Sequence, residues 1–299
     1  MDRLHPEPPP GGMASFIESL IPSLVPSEQR VARAFVDPGI DVSLMSAADV
    51  AALASTSAAT VIRTCQSLGF KGFQHLRLLL LRDRTMGPSQ QRLEVSSGEG
   101  ATRGWLPSLF RMAGESLSNV LGPLDFDELE RAVSAIANGG RLLIVGNGGS
   151  APIAQMSSLE FVGIGRANEA PVDAVHQQLT ARSLGAGDVC LCISGSGANS
   201  VTLRAAEAAS RTEATVIGLS GFQRSRLDEY TDLSLVCTSP ASAWANGLIA
   251  GNVAHFLFVG ALAIAVAAAK GRPEVNFAVM DEIAAVLDAE IDQTPDSRD

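Results

Sequence analysis

The amino-acid sequence predicts two domains: an all-α helix-turn-helix domain at the N-terminus, then an α/β domain with three layers around a mostly parallel sheet. Three observations carry this. Two short helical patterns flank a three-residue turn within residues 47–69. Past residue 140, short apolar runs alternate with helical patterns, the mark of βα units and a parallel sheet. Two of those runs end in Gly/Ser-rich loops that open helices, GNGGSA at 146–151 and SGSGANS at 194–200. A chain of 299 residues has room for two domains, and 46% apolar residues against 18% charged ones supply full cores.

The N-terminal elements come first. Residues 1–12 are Pro/Gly-rich and are expected to form a disordered tail. Residues 13–24 make an amphipathic segment. Ser27 is read as the cap of a helix through Glu28–Val36, which Asp37-Pro38-Gly39 stops. Ser46 precedes AADVAALA (47–54), with Val50 and Leu53 on the apolar side. After the turn Ser55-Thr56-Ser57, residues 58–69 place Val61, Ile62, Cys65 and Leu68 inward, with Ser57 as N-cap. The outward set is then Ala58, Ala59, Thr60, Arg63, Thr64, Gln66 and Ser67.

A second helix so placed enters the DNA major groove N-terminus first. Arg63 suits guanine or phosphate, Gln66 suits adenine or a backbone oxygen, and Ser57 and Thr60 suit phosphate. The alternatives are a plain helical packing unit and an interaction module that docks on protein.

Charge distribution bears on this choice. The net charge is −10. Residues 1–85 hold eight basic and eight acidic side chains, so all of the excess lies in residues 86–299. Within 42–84 the bases Arg63, Lys71, Arg77, Arg82 and Arg84 face only Asp49 and Asp83. A DNA-facing surface therefore fits the N-terminal domain and nowhere else. One Tyr and two Trp exclude a base-stacking platform.

Residues 86–104 are Gly/Ser/Gln-rich without apolar period, which predicts a linker after a domain at 13–85. Helical patterns follow at 105–121 and 125–138. Asp125 or Asp127 caps the second, and Gly139-Gly140 ends it. Strands are expected at 141–145, 188–193, 215–220 and 233–237, within a C-terminal domain at 105–299. The two Gly/Ser loops stand at strand C-termini, where open α/β sheets bind ligands. Backbone N–H groups of Gly148, Gly149, Gly195 and Gly197, with hydroxyls of Ser150, Ser194 and Ser196, suit an anion at helix N-termini. Neither loop is a P-loop or a dinucleotide fingerprint.

Cys65, Cys190, Cys192 and Cys237 lie in apolar runs without a C-x-x-C pair, which reads as reduced core cysteines in the cytoplasm. No signal-peptide pattern opens the sequence given. Residues 248–269 are long and almost uncharged. Asn252 and His255 interrupt them, so a buried helix is expected and no membrane span. A last helix, about 274–291, carries Phe277, Met280, Ile283, Val286 and Leu287 and is expected to dock on a neighbouring subunit.

Two resemblances add to this reading. Residues 19–82, and above all 57–73 with TVIR, LGF and GF, resemble the helix-turn-helix domain of the RpiR/MurR regulators. That implies that Ser57, Thr60, Arg63 and Lys71 face double-stranded DNA. Ser55 departs from the usual turn glycine. Residues 128–270 resemble a SIS (sugar isomerase) domain, whose two phosphate loops match 146–151 and 194–200. That implies phosphosugar binding by Asn147, Ser150, Ser194, Ser196 and Asn199, the last standing where Thr is usual. Residues 146–163 look most like the phosphoheptose isomerase branch of the family. There Glu160 matches a functional Glu, which implies contact with a sugar hydroxyl, and His255 matches a late His, whereas Met156 and Gly247 replace expected His and Gln. The resemblance thus implies a regulator with no catalytic residues, no metal and no cofactor, assembled as a homodimer or homotetramer. An isomerase with an accessory helical domain is the alternative.

Overall fold

A computed structural model describes residues 8, 12–37, 39–86, 101–117, 120–238 and 247–271. The N-terminal part is all helical: α1 (Met13–Leu20), α2 (Pro26–Val36), α3 (Ala47–Leu53), α4 (Ala58–Ser67) and α5 (Phe73–Met86). Its core joins Phe16, Ile17 and Leu20 of α1, Val31 and Phe35 of α2, Val50 of α3, Val61 and Cys65 of α4, and Leu76 of α5. Ser46 caps α3 in a capping box with Asp49. The carboxylate of Asp49, accepting from the Ser46 hydroxyl and N–H, titrates below its usual range. Ser55 adopts φ +49°, the left-handed conformation that a turn glycine provides. The Arg30 side chain ties that turn to α2 through the carbonyls of Ala54 and Ser55, at 3.0 and 3.4 Å.

Several sequence expectations are corrected here. Ser27 is not a cap: α2 begins one residue earlier with Pro26 in its first turn, where the missing N–H costs nothing. Leu53 and Ile62 are exposed, not inward. On α4 the buried stripe is Val61, Thr64, Cys65 and Leu68, the i, i+3, i+4, i+7 pattern of one helix face. Ile62 lies about 100° away from Val61 around the axis. Thr64 sits inside the stripe and is fully buried. Its hydroxyl is satisfied by the Thr60 carbonyl at 2.8 Å, so it presents nothing to DNA.

The second part contains α6 (Ala101–Leu117), α7 (Phe126–Asn138), β1 (Leu142–Gly146), α8 (Ala151–Gly163), α9 (Ala174–Arg182), β2 (Val189–Ser194), α10 (Ser200–Ser210), β3 (Thr215–Ser220), β4 (Leu233–Val236) and α11 (Gly247–Ala269). Of the expected linker, 101–104 are helical, Met86 ends α5, and 87–100 lie outside the described residues. So do the expected helix at 274–291 and nearly all of the N-terminal tail. Asp125 is the cap of α7, accepting from the N–H groups of Asp127 and Glu128.

Among the described residues the sheet has four strands in the order β1-β2-β3-β4, all parallel. Its strands are buried on both faces, as parallel sheets require. Leu142, Ile144, Leu191 and Ile193 point to a core shared with α7, α8 and α11. Leu143, Val145, Cys190 and Cys192 point the other way, to α9 and α10. This period of two makes the three layers. α11 is apolar and long enough by composition to cross a membrane. It instead places Ala254, Phe258, Val259, Leu262 and Val266 in the core. α9, which the sequence reading omitted, starts on Asp173, whose side chain accepts from the His176 N–H at 2.8 Å.

Candidate functional site

The α4 face comes from three local choices. The Ser57 hydroxyl accepts from the Thr60 N–H at 3.2 Å and stands 3.0 Å from the Thr60 hydroxyl. Both side chains thus fix the first turn of α4. Arg63 projects outward with 61% exposure, while its Nε donates to Glu28 Oε1 at 3.1 Å. Glu28 on α2 is nearly buried and also accepts from Ser67 at 3.3 Å. It therefore holds the Arg63 guanidinium through Nε. Gln66 is exposed on the same side. Lys71 is exposed beyond the helix end, its backbone N–H directed at His75 Nδ1. Of the predicted set, Ser57, Arg63, Gln66 and Lys71 are exposed, Thr60 is half-buried and Thr64 is buried.

The second site lies where β1 and β2 end side by side, with Gly146 paired to Ile193. After β1 the chain passes Asn147 and a short 3-10 turn, Gly148–Ser150, into α8. Asn147 is anchored by its amide to Gln177 Oε1 at 2.9 Å and Thr202 Oγ1 at 3.1 Å. Gly148 has φ +60°. The first N–H groups of such a turn have no intrahelical partner, so the stretch 148–149 offers donors to an anion. The two loops are locked together: the Gly195 N–H donates to Ser150 Oγ at 3.0 Å. Ser150 keeps its own hydroxyl hydrogen for another acceptor.

The second loop is similarly prepared. Ser194 is buried and accepts from the Asn199 N–H at 3.4 Å. Ser196 is exposed and accepts from the Ala198 N–H at 3.3 Å. Asn199 caps α10 through its Oδ1, which accepts from Val201 and Thr202. Its Nδ2 then faces the first loop, 3.4 Å from where a Gly148 Cβ would stand. Asn in place of Thr therefore caps a helix and turns a donor toward the crevice at once. Gly197, at φ +61°, packs against Ser225, whose Oγ would lie 2.6 Å from any Cβ there.

Glu160 is not part of this cluster. Ten residues after Ser150, it stands about 15 Å further along α8 at 1.5 Å per residue. Met156 is 40% exposed on the same helix. No group of three His, Cys, Asp or Glu suited to a metal occurs among the described residues. Burial pushes the Cys65 and Cys237 thiols up to about 12, so neither is a thiolate nucleophile near neutrality.

The sequence reading missed the role of the segment after β3. The Gly221 N–H donates to the Gly195 carbonyl at 3.1 Å, and the Leu227 N–H to the Gly197 carbonyl at 2.9 Å. From its other side, the Gln223 N–H donates to the Ser19 carbonyl at 2.8 Å. Arg224, at φ +54°, donates from Nη1 to the Ser67 carbonyl at 3.1 Å. The signal for it in the sequence is weak, since most of its partners are main-chain carbonyls.

The architecture defines a class: a helix-turn-helix domain joined to a phosphosugar-type α/β domain. Comparison with known proteins agrees. Residues 11–85 match the model of the helix-turn-helix domain of the rpiR family, and residues 135–265 match the SIS domain. An HTH-type transcriptional regulator of Caldanaerobacter subterraneus subsp. tengcongensis is 26% identical over 266 residues, covering 88% of this chain and 93% of that protein. Vibrio vulnificus NanR, solved with ManNAc-6P, superposes with TM-score 0.55 at 22% identity, over 93% of this chain and 98% of its own. The sugar isomerase domain of an RpiR transcription factor from Sphaerobacter thermophilus superposes with TM-score 0.51 at 20% identity, over 60% of this chain and 98% of its own. The chain belongs to the RpiR family of helix-turn-helix regulators with a C-terminal SIS domain.

Proposed function

We propose that the chain is a cytoplasmic, non-enzymatic transcription regulator of sugar metabolism. Its α3–α4 unit reads a double-stranded DNA operator, and a sugar phosphate held at Ser150, Ser194, Ser196, Asn199 and the loop N–H groups modulates that reading. The observation that carries this is the segment 221–227, hydrogen-bonded on one side to the second phosphate loop and on the other to α1 and the end of α4. An isomerase with an accessory domain has no use for such a bridge. A regulator needs one, because a ligand shifts a conformational balance only through contacts that differ between the two states.

Two further observations fit. A relative that spans both domains is named an HTH-type transcriptional regulator, and NanR was solved with a phosphorylated sugar. Leu159 and Val162 on α8, and Val175 and Leu179 on α9, are apolar and exposed. Such side chains suit burial in a homodimer or homotetramer, which would present paired heads to a palindromic operator.

The test is fluorescence anisotropy of the whole protein on DNA from its own upstream intergenic region, at fixed salt, with and without a panel of sugar phosphates. Sequence-selective binding that one sugar phosphate changes is the expected result. Binding no tighter than to an unrelated duplex, together with turnover of a panel member, would replace this reading with the isomerase.

A further inference from the structure

A buried polar atom beside the phosphate loops lacks a partner. His255 on α11 is 1% exposed. Its Nε2 lies 3.1 Å from the Cys237 carbonyl oxygen. A carbonyl only accepts, so Nε2 carries the hydrogen and Nδ1 presents a lone pair. Nδ1 has no hydrogen-bond partner among the described residues, a costly state for a buried acceptor.

The ring edge is aimed at the place where the two loops meet. The Cβ position of Gly195 lies 3.6 Å from His255 Cε1, 3.8 Å from Nδ1 and 3.8 Å from Ser150 Oγ. A glycine there leaves this small space open, bordered by the imidazole edge and the Ser150 hydroxyl. The loops themselves, GNGGSA and SGSGANS, contain no Lys or Arg. From these two loops a phosphate monoester dianion meets only dipoles and hydroxyls.

We propose that His255 Nδ1 is a direct ligand of the bound phosphate group, and that the complex holds one proton more than the free protein and the free dianion. This rests on the reading of the two loops as a sugar-phosphate site. The proton comes from solvent and lies between Nδ1 and a non-bridging phosphate oxygen. Imidazolium with dianion and imidazole with monoanion have the same composition, and no bond of the ester breaks. A lone pair facing a dianion repels it. With the shared proton the contact becomes a charge-assisted hydrogen bond. His255 then supplies the positive charge that the loops lack.

The surroundings leave this proton exchange to the ligand. In the free protein, burial holds the His255 ring below the ordinary histidine range, against the pull of the Cys237 and Ser220 carbonyls. The elements packed against α11 carry Glu160 on α8 and Asp127, Glu128, Glu130 and Arg131 on α7. None of these charges is a cause of the depression. The neighbouring Cys237 thiol is pushed up to about 12 by burial and stays neutral.

The experiment follows ring ¹⁵N resonances of histidine-labelled whole protein against pH, without and with saturating inorganic phosphate. The chain has four histidines, and His255→Gln assigns the one in question. Phosphate should raise the His255 midpoint by about one pH unit or more, equivalent to about tenfold tighter phosphate binding by the protonated form. In His255→Gln the phosphate affinity should fall and lose that pH dependence. If that variant does not fold, substitution of His5, His75 and His176 assigns the resonance in the otherwise native chain. Phosphate that moves the Gly148 and Gly149 amide signals but leaves the His255 midpoint in place would overturn the inference and keep the site. Phosphate that moves neither, with no response to sugar phosphates, would overturn both.

Discussion

α4 and α8 both begin at a serine, yet the two N-termini are used in opposite ways. Ser57 turns its hydroxyl onto its own helix and closes the first turn of α4. What α4 offers a partner is therefore side chains: Thr60, Arg63 and Gln66. Ser150 makes no such cap. Its hydroxyl crosses to the other loop and accepts from Gly195, so α8 offers its main chain, flanked by glycines. A side-chain face can distinguish sequences, which a DNA reader requires. A main-chain cradle recognises a charge shared by many ligands, and the rest of the ligand must be read elsewhere.

This contrast can be broken at several points. The largest effect is expected for Gly197→Val. The left-handed backbone alone costs a β-branched residue about 1–2 kcal/mol, and the side chain would meet Ser225. Calorimetric unfolding should show the α/β domain destabilised, and titration should show phosphate binding lost. A variant with native Tm and native binding would mean that the second loop is not held as described.

Arg63→Ala should come next. Operator affinity should drop by about 10- to 100-fold, the worth of one bidentate base contact of about 1–3 kcal/mol. Phosphate binding should not change, since the α4 face and the loops draw on different groups. Equal losses in both assays would show that the two regions are not separable. Glu28→Gln should give a smaller loss of DNA affinity, because the guanidinium remains but is no longer fixed.

Ser57→Ala should cost the helical domain about 1 kcal/mol, the usual value of an N-cap, read as a lowered denaturant midpoint. Ser150→Ala should weaken phosphate binding and leave the DNA affinity of the ligand-free protein unchanged.

The smallest effect concerns pH. The His255 pKa is lowered in the folded chain by burial, so the unfolded chain binds more protons. Stability from this group is present above the ordinary value of 6.5 and is lost as pH falls from there through the folded pKa. A stability curve between pH 8 and 5 should be flatter for His255→Gln, and flatter for wild type with phosphate bound. An unchanged slope in the variant would assign the acid sensitivity to other groups.

The sheet and both loops were legible because a strand buried on two faces must be apolar throughout, and a tight turn into a helix needs Gly and Ser. The caps Ser57 and Asp125 were legible for the same local reason. Thr64 was misread because a hydroxyl looks like a surface group, whereas helix geometry puts it between Val61 and Leu68. α9 was passed over although Asp173 marks its start. The bridge at 221–227 left only a weak signal in the sequence. Its acceptors are the carbonyls of Ser19, Ser67, Gly195 and Gly197, a group that every residue type carries.

That bridge has a consequence for occupancy in both directions. Coupling free energy between two sites is reciprocal. Under the proposed function, whatever factor a sugar phosphate applied to operator affinity, the operator would apply to sugar-phosphate affinity. Molecules seated on a promoter and molecules free in solution would then respond to different sugar concentrations. Promoter-bound copies would set the threshold of the genetic response, while the unbound pool would act as a buffer with a threshold of its own.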